Sequence, residues 1–495
     1  MANHTKFSLM GPQVVAAIIA ASVSFLTLIG TLVAQYLGRR ATSRDTQKTL
    51  EQQREQLDRT LTEQREQLDR TLTEQRKQLD RTLTEQRTRT LNERFATATS
   101  QLGDDKPPAV RLAGVYAMVG LADDWEANRQ TCVDVLCGYL RMPYRADPGD
   151  QADQEEQLTY RSSREVRHTV IRVITAHLQD GAAVSWQGLD FDFTGVVFDG
   201  GSFASARFSG GTVDFTDARF SGGTVDFMRA EFSGGTVNFS VAEFADGRVD
   251  FRNAKFSGSE ITFSVADFSG GTVDFREVKF SGGTVYFGEA IFSGGTIDFG
   301  RAEFSGGTVY LSDAKFSGAT ILFMGAEFSG CTVDFNFAEF ADGRVIFNDA
   351  NFADGTVDFR FAKFSGGRVN FFKARFSGST ADFRGTKFDG TVDFDGAIFS
   401  GGTVAFHAAM FSGGTVAFTG ATFCGSVINF DGALFSGGTV HFFKAMFSGG
   451  TIAFNGAEFS GGTADFSGVT TWSDPPKFDS PIPPTVKLPV MHRSL

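Results

Sequence analysis

The sequence predicts a mainly β fold, a solenoid of short stacked strands entered through helical segments. Phenylalanine recurs every 12 residues in two interleaved ladders, Phe208, Phe220, Phe232 onward to Phe388 and Phe215, Phe227, Phe239 onward to Phe383, with Leu311 once in the step. A fixed internal period is the signature of a stack of like units. Two positions before each Phe stands a small or branched apolar residue, as in Val213 with Phe215 and Ala218 with Phe220. Residues i and i+2 share one face of an extended strand, so these pairs point inward while Thr212 and Asp214 point out. Gly-Gly pairs such as Gly210-Gly211 supply corners, because glycine accepts the backbone angles a sharp turn demands.

At the start of the array the Phe spacing is a uniform five, Phe193, Phe198, Phe203, Phe208, and Phe215-Thr216-Asp217-Ala218-Arg219-Phe220 keeps A-x-F in that register. In these residues the chain resembles the pentapeptide-repeat proteins, with two extra residues at every second corner. The resemblance implies a right-handed quadrilateral β-helix over residues 186–470, one repeat per side. Four sides make a coil of about 24 residues, roughly 11 to 12 coils and a rod on the order of 55 Å at the strand-to-strand spacing. One step, Phe388 to Phe399, is short because Asp389-Gly390-Thr391 lacks a corner residue. No unit of this size buries enough to stand alone, so the repeats fold only as a stack.

Ahead of the rod, residues 14–37 carry no charge and include Ile18, Ile19, Phe25, Leu26, Leu28, Ile29 and Leu32. As a helix this run reaches about 36 Å, enough to cross a membrane, with 1–13 as a short N-terminal segment. A signal peptide is the alternative, and Val33-Ala34-Gln35 is a poor cleavage site for one. Arg39, Arg40, Arg44 and Lys48 flank the run against Lys6 before it, which predicts a single pass with the N-terminus outside and the bulk of the chain cytoplasmic.

Residues 45–102 hold an 11-residue repeat with Leu50, Leu57, Leu61, Leu68, Leu72, Leu79 and Leu83 alternating by seven and four. Eleven residues in three turns keep these leucines on one side of a helix, so a coiled-coil stalk that makes a homo-oligomer is expected, with a lone charge-stabilised helix as the alternative. Residues 103–181 read as a helical capping domain that seals the N-terminal end of the Phe core, with 143–163 as an exposed loop and a helix over 164–179. The stretch from Glu93 to Ala117 is similar to a segment ahead of the repeats in other pentapeptide-repeat proteins, and that resemblance implies no activity. The tail, 471–495, holds six of the eleven prolines.

The chain has 495 residues, a net charge of −12 and four Cys, which argues against a nucleic-acid-binding surface and against a disulfide scaffold. No catalytic, cofactor or metal site is expected. His168 and His177 lie nine apart on a helix and read as solvated, and Gly-Gly-Thr-Val-Asp lacks the period of calcium-binding solenoids. The candidate surfaces are two. Asp226, Asp250, Asp274 and Asp298 fall in one column at the coil period, either for a basic partner or cations or as a solubilising face. Ile398, Met410, Leu434 and Met446 fill a slot that upstream is charged, and from Phe399 to Ala457 the charged residues are Asp431 and Lys444. That end is expected to contact a partner or a second copy, unless the tail with Phe478, Ile482 and Leu488 folds back over it. The function these features predict is a non-enzymatic, membrane-anchored scaffold that presents the rod to a cytoplasmic protein. The family resemblance implies an alternative, a DNA mimic acting on DNA gyrase.

Overall fold

The computed structural model describes residues 20–31, 44–103, 106–149, 151–473, 475–479 and 481–489. The chain divides into two compact units, 1–90 and 91–495. Residues 20–31 form helix α1 in the first, and α2 (Arg44–Gln101), one continuous helix of 58 residues, begins there and ends in the second. The described part of the apolar run is about 18 Å long at 1.5 Å per residue. Among the described residues no helix is long and apolar enough to cross a membrane. Residues 14–19 and 32–37 of the expected span lie outside the described residues, as does the 1–13 segment. Leu68, Leu79 and Leu83 are exposed along α2, so the single chain carries the helix and its apolar stripe and not the coiled coil. The Glu66–Arg70 pair (3.4 Å) follows the i,i+4 spacing, in side chains too exposed to add much stability.

In the second unit, Leu91 and Ala98 at the end of α2 and Leu102 just after it are buried with α3 (Pro108–Asp124), α4 (Arg129–Arg141) and α5 (Gln154–Leu178). Proline opens α3, where its missing N–H costs nothing. Helix α5 starts ten residues earlier than the sequence spacing suggests: Asp153 caps it by accepting the Glu156 N–H at 2.8 Å, and Glu155 and Glu156 favour its positive end. Val166, Val170, Val173, Ile174 and Leu178 are all buried, whereas Tyr116 of α3 is exposed.

From Phe191 to Lys487 the chain winds a right-handed parallel β-solenoid of about twelve turns, with Phe every five to seven residues. Its short strands stand in four columns and pair at a step of 24: Phe208 with Phe232, Val213 with Val237, Phe220 with Phe244, Val225 with Val249. Rings in one column stack nearly parallel, Phe215 on Phe239 at 4.6 Å and Phe239 on Phe263 at 4.8 Å, and neighbouring columns meet edge to face, as at Phe263 and Phe275 (5.9 Å, 90°). These are the two arrangements the ring quadrupole favours. The short step is absorbed locally. The N–H groups of Asp389 and Gly390 both donate to the Phe364 carbonyl, and the register resumes with Phe376 opposite Phe399.

The two glycines of a corner do different work. Gly234 and Gly235 both have positive φ, but a Cβ on Gly235 would sit 2.0 Å from the Gly211 carbonyl oxygen of the coil below, while one on Gly234 meets nothing closer than 3.8 Å. The second glycine is therefore required by coil-on-coil approach as well as by its backbone angle.

Both ends of the rod are closed. At the N-terminal end Arg167 of α5 donates to the Val197 carbonyl (2.9 Å), the Thr175 hydroxyl donates to the Ser202 carbonyl (2.7 Å), and Ile171 lies against Gly201. At the other end the described part of the tail, to residue 489, does not fold back along the rod. It forms a last partial coil: Thr471-Trp472 pairs with Met446-Phe447, Lys477-Phe478 with Ala453-Phe454, and Val486-Lys487 with Ala464-Asp465. Phe478 stacks on Phe454 at 4.6 Å, so the tail follows the ring column that gives it most burial.

Candidate interaction surfaces

The aspartates of the predicted column lie in register, Asp226 to Asp250 to Asp274 to Asp298. Each carboxylate accepts the backbone N–H two residues on, from Met228 (2.8 Å), Arg252 (3.0 Å), Arg276 (3.1 Å) and Gly300 (2.8 Å), and so closes the turn that follows its strand. Asp250 and Asp274 are only 4% and 1% exposed. Arg252 binds Asp250 at 2.7 Å, Arg276 binds Asp274 at 2.6 Å, and Arg248 reaches both carboxylates. Burial pushes the Asp250 carboxyl up, and the hydrogen bonds from Arg252 outweigh it and hold the group below its usual range. Asp298 has Gly300 where its neighbours have arginine, and burial raises its pKa. The column is thus part of an acid–base ladder, with Asp226 and Asp298 half-buried at its ends. The signal was present as Asp-Phe-Arg at 250–252 and 274–276, and again at 358–360 and 382–384. Residues i and i+2 share the outer face there.

The apolar residues stand as the coil period demands. Ile398, Thr422 and Met446 are stacked in one column, Met410 and Leu434 in another. Ile398, Met410 and Met446 are exposed and Leu434 is half-buried. Upstream, the same slots hold cross-coil ion pairs: Arg207–Glu231 (3.1 Å), Glu231–Lys255 (2.7 Å), Lys279–Glu303 (2.7 Å) and Glu339–Lys363 (2.7 Å). Because the tail completes the last coil, Ile482 and Leu488 are themselves exposed and the apolar columns are left uncovered.

Two features escaped the sequence reading. The second residue after a strand's Phe sits in the left-handed region at corner after corner, and one corner column includes Val241, Val265, Phe337 and Phe361 beside Glu289 and Asp313, these four with φ between 58° and 61° and about half exposed. A branched or bulky residue in that region costs about 1–3 kcal/mol. Phe337 and Phe361 stack on each other at 5.2 Å on the outside of the rod.

Two histidines expected to be solvated are partly buried instead: His168 fastens the helical cap to the first coil, and His177 packs within the cap. His168 Nε2 lies 3.1 Å from Asp199, a buried carboxylate that also accepts from Tyr144 (2.8 Å), Tyr160 (3.0 Å) and Arg164 (3.1 Å). Burial pushes Asp199 up, but the bonds from His168, Tyr144 and Tyr160 together hold it down at about 2. His177 stacks on Trp186 (4.1 Å), and both reach Asp123, at 3.2 and 3.1 Å. The nine-residue spacing does set the two rings apart, and one meets the first coil while the other meets α3 and Trp186 just ahead of the rod.

Among the described residues no group of His, Cys, Asp and Glu is arranged to hold a metal ion. Burial pushes the thiols of Cys132 and Cys331 up to about 11 and that of Cys137 up to about 12, so these are poor nucleophiles. Comparison of the chain with family models, with curated proteins and with solved structures finds no match.

Proposed function

We propose that this chain is a non-enzymatic scaffold of the pentapeptide-repeat type, anchored in a membrane by residues 14–37, that associates through its stalk and C-terminal coils and presents the rod to a cytoplasmic protein. The observation that carries the reading is the pair of uncovered apolar columns, Ile398 with Met446 and Met410 with Leu434, in a stretch whose charged residues are Asp431 and Lys444. An apolar surface of this kind gains free energy only by being covered, and the described part of the chain's own tail is engaged elsewhere. The exposed leucine stripe of α2 supports the same reading at the other end. The DNA-mimic alternative draws on surface acidity. With Asp250 and Asp274 buried against arginines, that column offers little of the negative potential a gyrase would read.

Sedimentation of residues 91–495 tests the proposal. The wild-type unit is expected to dimerise, and Leu434→Lys with Met446→Lys to make it monomeric. A wild-type unit that stays monomeric at high concentration would sink the self-association. Inhibition of gyrase supercoiling by the same unit would revive the alternative.

A further inference from the structure

The strained corner column points to how two rods meet. From Phe337 onward it reads Phe337, Phe361, Gly385, Ala408, Gly432, one residue per coil, every one of them in the left-handed region. Two half-exposed rings are thus followed by three residues with almost no side chain, and the Phe361 ring already lies over Gly385, where a Cβ would come within 2.7 Å of it. Two positions beyond Ala408 and Gly432 stand Met410 and Leu434, which wall this shallow step on one side with apolar surface. Lys363 and Lys387 on the rim are matched within the chain, by Glu339 at 2.7 Å and by Asp389 at 2.6 Å.

We infer that this edge is a self-association surface whose occupant is the same edge of a second copy, running antiparallel. Coils repeat at about 4.8 Å, so a two-fold axis through Gly385 would set Phe361 of one copy on Ala408 of the other, and Phe337 on Gly432, one and two steps from the axis. Knob and step lie on one strip, which is what an isologous contact requires. The inference rests on the C-terminal coils being a contact surface, and it names a second copy as the cover for Met410 and Leu434.

Cross-linking in the full chain tests it. In a Cys424→Ser background, which removes the exposed native thiol, Phe361→Cys is combined with Ala408→Cys and the protein is mildly oxidised. Within one chain these positions are two coils, about 10 Å, apart, beyond the roughly 7 Å a disulfide can span. A covalent dimer therefore reports two copies in this register. The double variant is expected to give at least tenfold more dimer than either single variant or than Glu289→Cys, which lies on the same corner column outside the strip. No dimer, or an equal yield from Glu289→Cys, overturns the inference. If that happens while Leu434→Lys with Met446→Lys still dissociates residues 91–495, the C-terminal coils associate in another register and only the edge contact falls.

Discussion

Leu311 is the one place where an aromatic ladder is broken, and restoring it should stabilise the rod. The residue is 4% exposed and stands in the column between Phe287 and Phe335. Above and below it the rings stack regularly, Phe263 on Phe287 at 4.7 Å and Phe335 on Phe359 at 4.6 Å. The backbone at the break matches its neighbours: the Leu311 N–H reaches the Asp334 carbonyl at 2.6 Å, as the Phe263 N–H reaches that of Tyr286. A ring at 311 would therefore enter a slot of the usual dimensions and gain two face stacks. At about 0.5–1.5 kcal/mol each, the gain is about 1–3 kcal/mol. Overpacking, the opposing effect, costs about as much where the backbone must shift, and here it need not. Phe359→Leu is the mirror experiment and should lose a similar amount, whereas Phe359→Ala, which also opens a cavity, should lose about 3–5 kcal/mol. Coils contact only their neighbours, so amide exchange in the strands around 309 and 333 is the sensitive assay, with denaturant midpoints alongside. Faster exchange there in Leu311→Phe would refute the reasoning, because it would mean that the coil has closed around leucine.

Gly235→Ala should cost far more than Gly234→Ala, several kcal/mol against about 1 kcal/mol, since only the first puts a Cβ into the coil below; thermal melts of the two variants check this. Asp199 holds the helical cap, and its folded-state pKa of about 2 lies below the ordinary 3.8. Its contribution is accordingly present above about pH 4 and lost as the pH falls through about 2, and Asp199→Asn should remove that acid dependence and loosen the cap, read as increased proteolysis of residues 91–181. A peptide of residues 45–95 should be helical in a concentration-dependent way, and Leu68→Asn with Leu72→Asn should abolish the dependence; a helical monomer at every concentration would leave the stalk a lone helix.

The solenoid, its 24-residue coil and the inward Phe columns were determined by the sequence alone, because a 12-residue period with apolar residues at i and i+2 admits one way of burying every ring. The same period put Ile398 above Met446 and Met410 above Leu434 correctly. The sequence also contained, unread, the Asp-Phe-Arg triplets that turn Asp250 and Asp274 from an open acidic column into buried ion pairs. What the tertiary structure decided depends on groups far apart in the chain. Asp199 and His168 meet only when α5 lies across the first coil, and the start of α5 at Gln154 depends on a cap from Asp153 in a stretch whose composition resembles a loop. The left-handed angle under Phe337 and Phe361 is imposed by the corner of every coil, and nothing in the local preference of phenylalanine announces it. The course of the described tail follows Phe478, which continues the Phe454 column and stacks on it.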